Sequence, residues 1–170
     1  TVANNVAGET GSYQNFENLS ASGATGALTV TAAAAGGTIT TSTAGVFADT
    51  VTLGAGVDAV NTGDGADTVN GTLTLNDTVN LGAGADTFVY QATTTGNVVD
   101  GGTGSDTLTY SGGAKSFTFN TVANNVAGET GSYQNFENLN ASSATGALTV
   151  TTAALGSTIT TGTGAFADSV

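Results

Sequence analysis

The sequence predicts an all-β fold, a right-handed parallel β-roll or β-solenoid in which every short strand is followed by a tight loop. Three observations predict it: nine-residue units recur, large apolar residues return every 9 to 12 residues, and the first part of the 170-residue chain recurs about 120 residues later. One such unit buries almost no apolar surface alone. The units are therefore expected to be stable only when they stack on one another.

Four nine-residue units have the form x-Gly-x-Gly-x-Asp-x-U-x, where U is a large apolar residue. They begin at Leu53, Thr62, Leu81 and Gly101. The Gly-x-Gly half turns the chain, because glycine adopts positive φ without a steric penalty, and it leaves backbone carbonyls open to a cation. The Asp adds a hard anionic oxygen, and the last three residues form a short strand with its central side chain inward. Calcium takes about six to eight oxygen ligands, so the units predict calcium-binding loops.

The spacing of the Asp residues predicts how the loops are arranged. Their gaps are 9, 9, 10, 9 and 20 residues, for Asp49, Asp58, Asp67, Asp77, Asp86 and Asp106. With two units per turn, alternate loops lie on opposite flanks of the roll. The first flank then carries Asp49, Asp67, Asp86 and Asp106. The second carries Asp58, Asp77 and the loop at 96–97.

The glycines distinguish the two flanks and predict a one-sided ion ladder. Three consecutive loops of the first flank keep both glycines: Gly63/Gly65, Gly82/Gly84 and Gly102/Gly104. On the second flank only Gly54/Gly56 remain. We expect the best sites between the loops of Asp67 and Asp86 and between those of Asp86 and Asp106. Asp49 gives a weaker site, because its loop lacks Gly-x-Gly, and Asp58 with Asp77 a still weaker one. The alternative is that these Asp side chains cap turns by hydrogen bonding to their own backbone.

Composition excludes several classes of function. The net charge is −12, with one basic residue, Lys115, and no His, Cys or Pro. One Lys and no Arg cannot neutralise a phosphate backbone, so we expect no nucleic-acid partner and no binding to anionic membranes. Without His or Cys the usual general base and thiol nucleophile are missing, so no enzymatic activity is expected. The acidity calls for cations, and without them the protein should be weakened or unfolded.

The chain divides into one repeat copy and the start of a second. Residues 1–19 recur unchanged as 121–139. Residues 1–44 are read as spacer turns, 45–110 as the calcium block, 111–120 as a connecting turn and strand, and 121–170 as the start of copy two. We expect one continuous solenoid of about six turns per repeat, cut from a longer tandem array. The expected inward residues are Leu19, Leu28, Ile39, Val51, Val60, Val69, Val79, Phe88, Val98 and Leu108.

The nonapeptides resemble those of RTX-type proteins, a bacterial group that is secreted unfolded and folds outside the cell with calcium. The spacers resemble segments of RTX adhesins and S-layer proteins. This resemblance implies Asp58, Asp67, Asp86 and Asp106 as carboxylate ligands and the adjoining glycines as carbonyl donors. The chain departs from the family at the first position of the unit, where only Gly101 is a glycine.

Together these observations lead us to expect a calcium-stabilised extracellular structural repeat of a large bacterial surface protein, such as an S-layer, sheath, filament or adhesin stalk, with neighbouring copies as partners. The alternative is an adhesive module that binds glycans or neighbouring copies, which exposed aromatic residues at 13, 16, 133 and 136 would favour. Less favoured are the solenoid part of a secreted hydrolase and an ice-binding face, because the Thr residues do not recur at one fixed place in the nonapeptide.

Overall fold

The chain, as a computed structural model, is built from short strands joined by turns. The structure describes residues 3–4, 13–14, 17–41, 43, 45–74, 76–90, 96–119, 126, 131–152, 157–162 and 167–170. Within these ranges no residue is helical, and accordingly no helix there is long and apolar enough to cross a membrane. The strands are β1 Ala3–Asn4, β2 Tyr13–Gln14, β3 Asn18–Ser20, β4 Thr29–Thr31, β5 Gly36–Thr40, β6 Thr50–Leu53, β7 Val57–Asn61, β8 Asp64–Gly65, β9 Thr68–Gly71, β10 Thr78–Asn80, β11 Ala83–Gly84, β12 Thr87–Val89, β13 Val98–Asp100, β14 Thr103–Gly104, β15 Thr107–Thr109, β16 Lys115–Phe119, β17 Ser132–Gln134, β18 Asn138–Asn140, β19 Leu148–Thr152 and β20 Thr158–Thr160.

Two large parallel sheets form the body of the molecule. One has six strands in the order β17-β13-β10-β7-β5-β3, and the other has seven in the order β20-β18-β15-β12-β9-β6-β4. A three-stranded sheet, β14-β11-β8, runs along the loops, and β16 pairs with β19. Because the chain passes alternately between the two large sheets, it forms a parallel β-solenoid of about six turns. The predicted fold class is confirmed, and spacer strands β3 and β5 lie in the same sheet as β7, β10 and β13.

The core consists of two columns of inward side chains, one from each large sheet. The column of the seven-stranded sheet contains Val30, Val51, Val69, Phe88, Leu108, Leu139 and Ile159. That of the six-stranded sheet contains Leu19, Ile39, Val60, Val79, Val99 and Tyr133. Stacking identical turns buries these residues continuously, which no single turn achieves.

Two of the expected inward residues are wrong. Val99, not Val98, pairs with Val79 and is fully buried, whereas Val98 is 37% exposed. Likewise Val30 pairs with Val51, and Leu28 lies before the strand begins. Side chains alternate across a strand, so an error of one residue in register turns the side chain to the opposite face.

An aromatic cluster fills the core where the first copy meets the second. The Tyr90 ring centroid lies 5.3 Å from that of Tyr110 and 5.1 Å from that of Tyr133. Phe117, on the added strand β16, packs 5.2 Å from Tyr110 in a T-shaped arrangement. Tilted and edge-on ring pairs at these distances are favourable beyond the apolar area they bury. Larger side chains thus fill the core at the level where β16 joins the stack.

Matching strands of the two copies lie in different sheets. Leu19 pairs with Ile39 in the six-stranded sheet, while its duplicate Leu139 pairs with Ile159 and Leu108 in the seven-stranded sheet. The chain between the two leucines therefore advances by an odd number of half-turns. Identical sequences consequently meet different neighbours in the stack.

Replacing Phe88 by Ala should lower the free energy of unfolding by about 3–5 kcal/mol, because this fully buried ring has side chains above and below it in its column. Thr87→Ala, on the outward side of the same strand, should change it by no more than about 0.5 kcal/mol. Urea unfolding followed by circular dichroism measures both. Equal midpoints for the two variants would contradict the assigned register.

Candidate metal centre

A ladder of Asp side chains runs along the flank that precedes the seven-stranded sheet. The backbone N–H of Asp67 donates to Oδ1 of Asp86 at 2.7 Å, and that of Asp86 donates to Oδ1 of Asp106 at 2.9 Å. Below them, the N–H of Asp49 donates to Oδ1 of Asp67 at 2.7 Å. All four residues are at most 1% exposed. The structure thus places these Asp residues one turn apart in a single column, as their spacing predicts.

Each upper rung of this ladder keeps one carboxylate oxygen without a partner. Oδ2 of Asp67, Asp86 and Asp106 is buried and accepts no hydrogen bond from the described residues; the nearby Thr62 hydroxyl, which lowers the pKa of Asp67, donates to the Leu81 carbonyl. The one basic side chain, Lys115, lies elsewhere, with Nζ 5.6 Å from the centre of the Tyr90 ring. A buried carboxylate without a compensating charge is strongly unfavourable. These oxygens therefore require a proton or a cation.

Glycine loops stack beside the ladder and bring backbone carbonyls close to it. Strands β8, β11 and β14 pair in register, so that Gly84 lies between Gly65 and Gly104. A Cβ added to Gly84 would lie 1.5 Å from the carbonyl oxygen of Gly65, and φ there is +155°, so only glycine fits. The Gly82 and Gly84 carbonyls each accept one hydrogen bond from the next loop. Each retains a second lone pair that a cation can use.

The second column of Asp residues, before the six-stranded sheet, is built differently. The Asp58 N–H donates to Asp77 Oδ1, and the Asp77 N–H donates to Asn97 Oδ1, each at 2.8 Å. Thr74 donates its N–H and its hydroxyl to the Asp77 carboxylate, so Asp77 caps a turn as in the alternative interpretation. Asp58 accepts a hydrogen bond from the Gly54 N–H but keeps Oδ1 buried and unpaired.

The Gly54/Gly56 loop of the second flank and the Asp49 loop of the first flank also pack against neighbouring turns by backbone contact. A Cβ on Gly54 would lie 2.1 Å from the Ala33 carbonyl oxygen, and a Cβ on Gly56 would lie 2.1 Å from the Ala35 carbonyl carbon. On the first flank, the Asp49 loop lacks Gly-x-Gly, yet a Cβ on Gly65 would lie 2.1 Å from the carbonyl oxygen of Phe47. Asp49 itself accepts a hydrogen bond from the Leu28 N–H at 2.8 Å. The Asp49 loop therefore contributes a carbonyl beside Gly65, which its sequence pattern did not indicate.

The donor set fits a hard cation. The polar groups in and beside the ladder are carboxylate and carbonyl oxygens, which suit Ca²⁺ rather than Zn²⁺. Among the described residues, no group of three or more Asp, Glu, His or Cys side chains converges on one point. A calcium ion would therefore take one or two carboxylates and complete its shell with backbone carbonyls, chiefly those of Gly63, Gly65, Gly82, Gly84, Gly102 and Gly104.

Burial raises the pKa values of several Asp side chains in the two columns. Desolvation raises the pKa of Asp86 to about 6, with the charge of Asp67 adding to the rise. Desolvation likewise raises the pKa of Asp106 to about 7, and the charges of Asp86 and Glu137 add to it. The pKa values of Asp58 and Asp67 are also raised, chiefly by burial. In each case a backbone N–H that donates to the carboxylate opposes the rise without cancelling it.

The metal-free protein should lose stability as the pH rises from about 4 to about 7. In this window the folded state binds more protons than the unfolded state, because the folded pKa values of Asp86 and Asp106 are about 6 and about 7 and the ordinary value is 3.8. The effect is absent below pH 4, where both states are protonated, and complete above pH 7. Thermal unfolding in a chelator at stepwise pH measures it. An Asp86→Asn, Asp106→Asn double variant should flatten the profile, and a melting temperature that rises over this range would contradict the argument.

Comparisons of this chain with models of protein families, with curated proteins and with solved structures found no match.

Proposed function

We propose that the chain is a calcium-stabilised structural repeat of an extracellular bacterial surface protein. The observation that carries the proposal is the column of buried Asp carboxylates beside stacked glycine loops, in which Asp67, Asp86 and Asp106 each keep a carboxylate oxygen without a hydrogen bond. The resemblance of the loops to RTX nonapeptides supports the same ion. A stalk, sheath, filament or S-layer segment needs stiffness along its length, which stacked turns supply once their charges are compensated.

The residues of the chain would act together as follows. Asp67, Asp86 and Asp106 would bind the ions through Oδ2, while Oδ1 of Asp86 and Asp106 keeps its hydrogen bond to the turn below. The glycine carbonyls would complete the coordination shell. Bound calcium supplies the positive charge that the sequence lacks. Because each ion contacts two turns, it opposes the separation of neighbouring coils.

The weak calcium affinity expected of such sites supports an extracellular location. Calcium modules outside cells bind with dissociation constants of about 10⁻⁴–10⁻³ M and therefore require a millimolar calcium compartment. A site with one or two carboxylates and mostly carbonyl ligands falls in this weak class. The absence of cysteine from the chain is compatible with this location. Neighbouring copies are the partners we propose.

Calcium in the millimolar range should raise the melting temperature and the β-sheet circular dichroism signal of the metal-free protein. A single site stabilises the fold by about 2.7 kcal/mol when calcium is at roughly a hundred times its dissociation constant. An Asp67→Ala, Asp86→Ala double variant should lose most of this gain. Asp64→Asn, which removes an exposed loop carboxylate, should keep it. A wild-type signal that does not change across millimolar calcium excludes the proposed function.

An ice-binding face is a second candidate function, favoured by the register of the seven-stranded sheet. Although the threonines are irregular in the sequence, one outward column consists of Thr29, Thr50, Thr68, Thr87, Thr107, Asn138 and Thr158. The parallel column two residues later has Thr31, Thr52, Asn70, Val89, Thr109, Asn140 and Thr160. Neither column carries a charge, and adjacent strands repeat at about 4.8 Å. A neutral face that repeats methyl and hydroxyl groups at the strand spacing suits the uncharged, periodic surface of ice.

The glycan-binding alternative has less support. Tyr133 is fully buried and Phe136 is 2% exposed, so neither ring is available to stack on a sugar. The side chains at positions 13 and 16 lie outside the described residues. The threonine columns contain no aromatic side chain either.

If the threonine face binds ice, the calcium-loaded protein will show thermal hysteresis, and a Thr68→Lys, Thr87→Lys double variant will abolish most of it by breaking the column. Thr78→Lys, an outward position on the other sheet, should have little effect. Hysteresis measured by nanolitre osmometry decides the matter. No hysteresis in the wild-type protein excludes this candidate.

A further inference from the structure

The hydrogen-bonded ladder does not end at Asp106. The Asp106 N–H donates to Oε2 of Glu137 at 2.9 Å. The N–H of each lower Asp donates in the same way to the carboxylate of the Asp one turn above, as Asp86 does to Asp106. The register places Asn138 over Thr107 and Leu139 over Leu108, so Glu137 stands directly over Asp106. In both segments the acidic residue precedes the inward leucine by two positions. Glu137 therefore occupies the next rung, although 31 residues separate it from Asp106.

Asp100 holds the turn that carries Glu137 against the last glycine loop. Its Oδ2 accepts a hydrogen bond from Gln134 Nε2 at 2.8 Å, and its Oδ1 accepts one from Asn135 Nδ2 at 2.7 Å. Asn135 has φ of +58°, a left-handed conformation that the glycines supply in the lower loops. The Gly101 N–H also donates to the Gln134 carbonyl at 3.0 Å. The turn is thus fixed by side-chain and backbone bonds.

The shape of this turn explains why a Glu stands there instead of an Asp. The Asp106 loop lies between Val99 and Leu108. In the next turn these two residues pair with Tyr133 and Leu139, and the segment between Tyr133 and Leu139 is three residues shorter. The turn therefore has no Gly-x-Gly, and within the described chain the loop sheet ends at β14. Glu has one methylene more than Asp, which lets the carboxylate of the shorter turn reach the Asp106 N–H.

Within the part of the chain that the structure describes, no basic side chain pairs with Asp106 or Glu137, since the one Lys lies over the Tyr90 ring. Asp106 is fully buried, and its Oδ2 has no hydrogen-bond partner. Glu137, which is partly buried, brings a second carboxylate within hydrogen-bond distance of the Asp106 backbone. The two carboxylates thus lie on successive rungs at the end of the ladder, near enough for the charge of Glu137 to help raise the pKa of Asp106, and Asp106 adds an unpaired buried oxygen.

We infer that Glu137 is a calcium ligand that closes the ladder, binding one ion together with Asp106 and carbonyls of the Gly102–Gly104 loop. This inference rests on the calcium binding proposed above and adds a ligand from the spacer segment to it. The spacer of the second copy thereby takes part in the ion site of the first. Calcium would join the two copies at their junction.

Glu17 provides a control within the same chain. It lies in the identical heptapeptide Tyr-Gln-Asn-Phe-Glu-Asn-Leu, but it is exposed. Its backbone carbonyl accepts a hydrogen bond from the Thr38 N–H at 3.2 Å, and the residue stacked on it is Gly37, which has no carboxylate. The half-turn difference between the copies thus gives one glutamate an Asp neighbour and leaves the other without one.

Equilibrium dialysis with radioactive calcium on the full 170-residue chain tests the inference. We expect Glu137→Gln to bind one calcium ion fewer per chain than wild type, and Glu17→Gln to bind the same number as wild type. Gln keeps an oxygen that can accept the Asp106 N–H but lacks the charge. The fold of each variant is checked by circular dichroism at saturating calcium.

The outcomes separate the two proposals. A wild-type chain that binds no calcium ends the proposed function and this inference with it. A wild-type chain that binds calcium, with Glu137→Gln equal to Glu17→Gln in number and affinity, overturns the role of Glu137 alone. If Glu137→Gln does not fold, Glu137→Asp replaces it, since this change keeps the charge but withdraws the carboxylate by one methylene. Undiminished calcium binding by Glu137→Asp would then overturn the inference.

Discussion

The structure depends on how a column of buried, like-charged carboxylates is tolerated inside a stack of turns. At an effective dielectric constant of about 20, two unit charges about 5 Å apart repel by about 3 kcal/mol, and each added turn adds another such pair. The backbone N–H groups that donate to Oδ1 offset part of this repulsion. With a net charge of −12 and one Lys, the chain has no side chains that offset the rest. Protons or bound cations must do so.

The Asp residues of the ladder and the inward apolar residues recur along the chain with the same spacing. In each unit the inward residue follows the Asp by two positions, as Phe88 follows Asp86 and Leu108 follows Asp106. A shift of one residue in the pairing would turn the apolar side chain outward and separate the carboxylate from the N–H of the next turn. The two interactions therefore specify one register together, although the carboxylates by themselves weaken the stack.

The sequence was most informative where a motif repeats within a short distance. The loops, the two Asp columns and most inward residues followed from spacing, because Asp67 and Asp86 are one coil apart and their glycines fit one backbone shape. Val99 was missed in favour of Val98 because Asn97 takes the place of the usual Asp in its column, and the two-residue spacing from Asn97 leads to Val99. Glu137 and the threonine column were missed because they depend on pairing across turns of unequal length. The aromatic cluster depends in the same way on residues far apart in the chain, such as Tyr90 and Tyr133.

The half-turn offset between matching strands changes which side of the solenoid a repeated segment faces. The matching strands β3 and β18 are separated by an odd number of half-turns along the stack, and are not related by simple translation. The shared Asn-Leu segment accordingly projects Asn18 from one broad side of the molecule and Asn138 from the other. A partner that recognises this segment would meet it in two opposed orientations. The duplication thus displays one and the same segment on both large sheets of the solenoid.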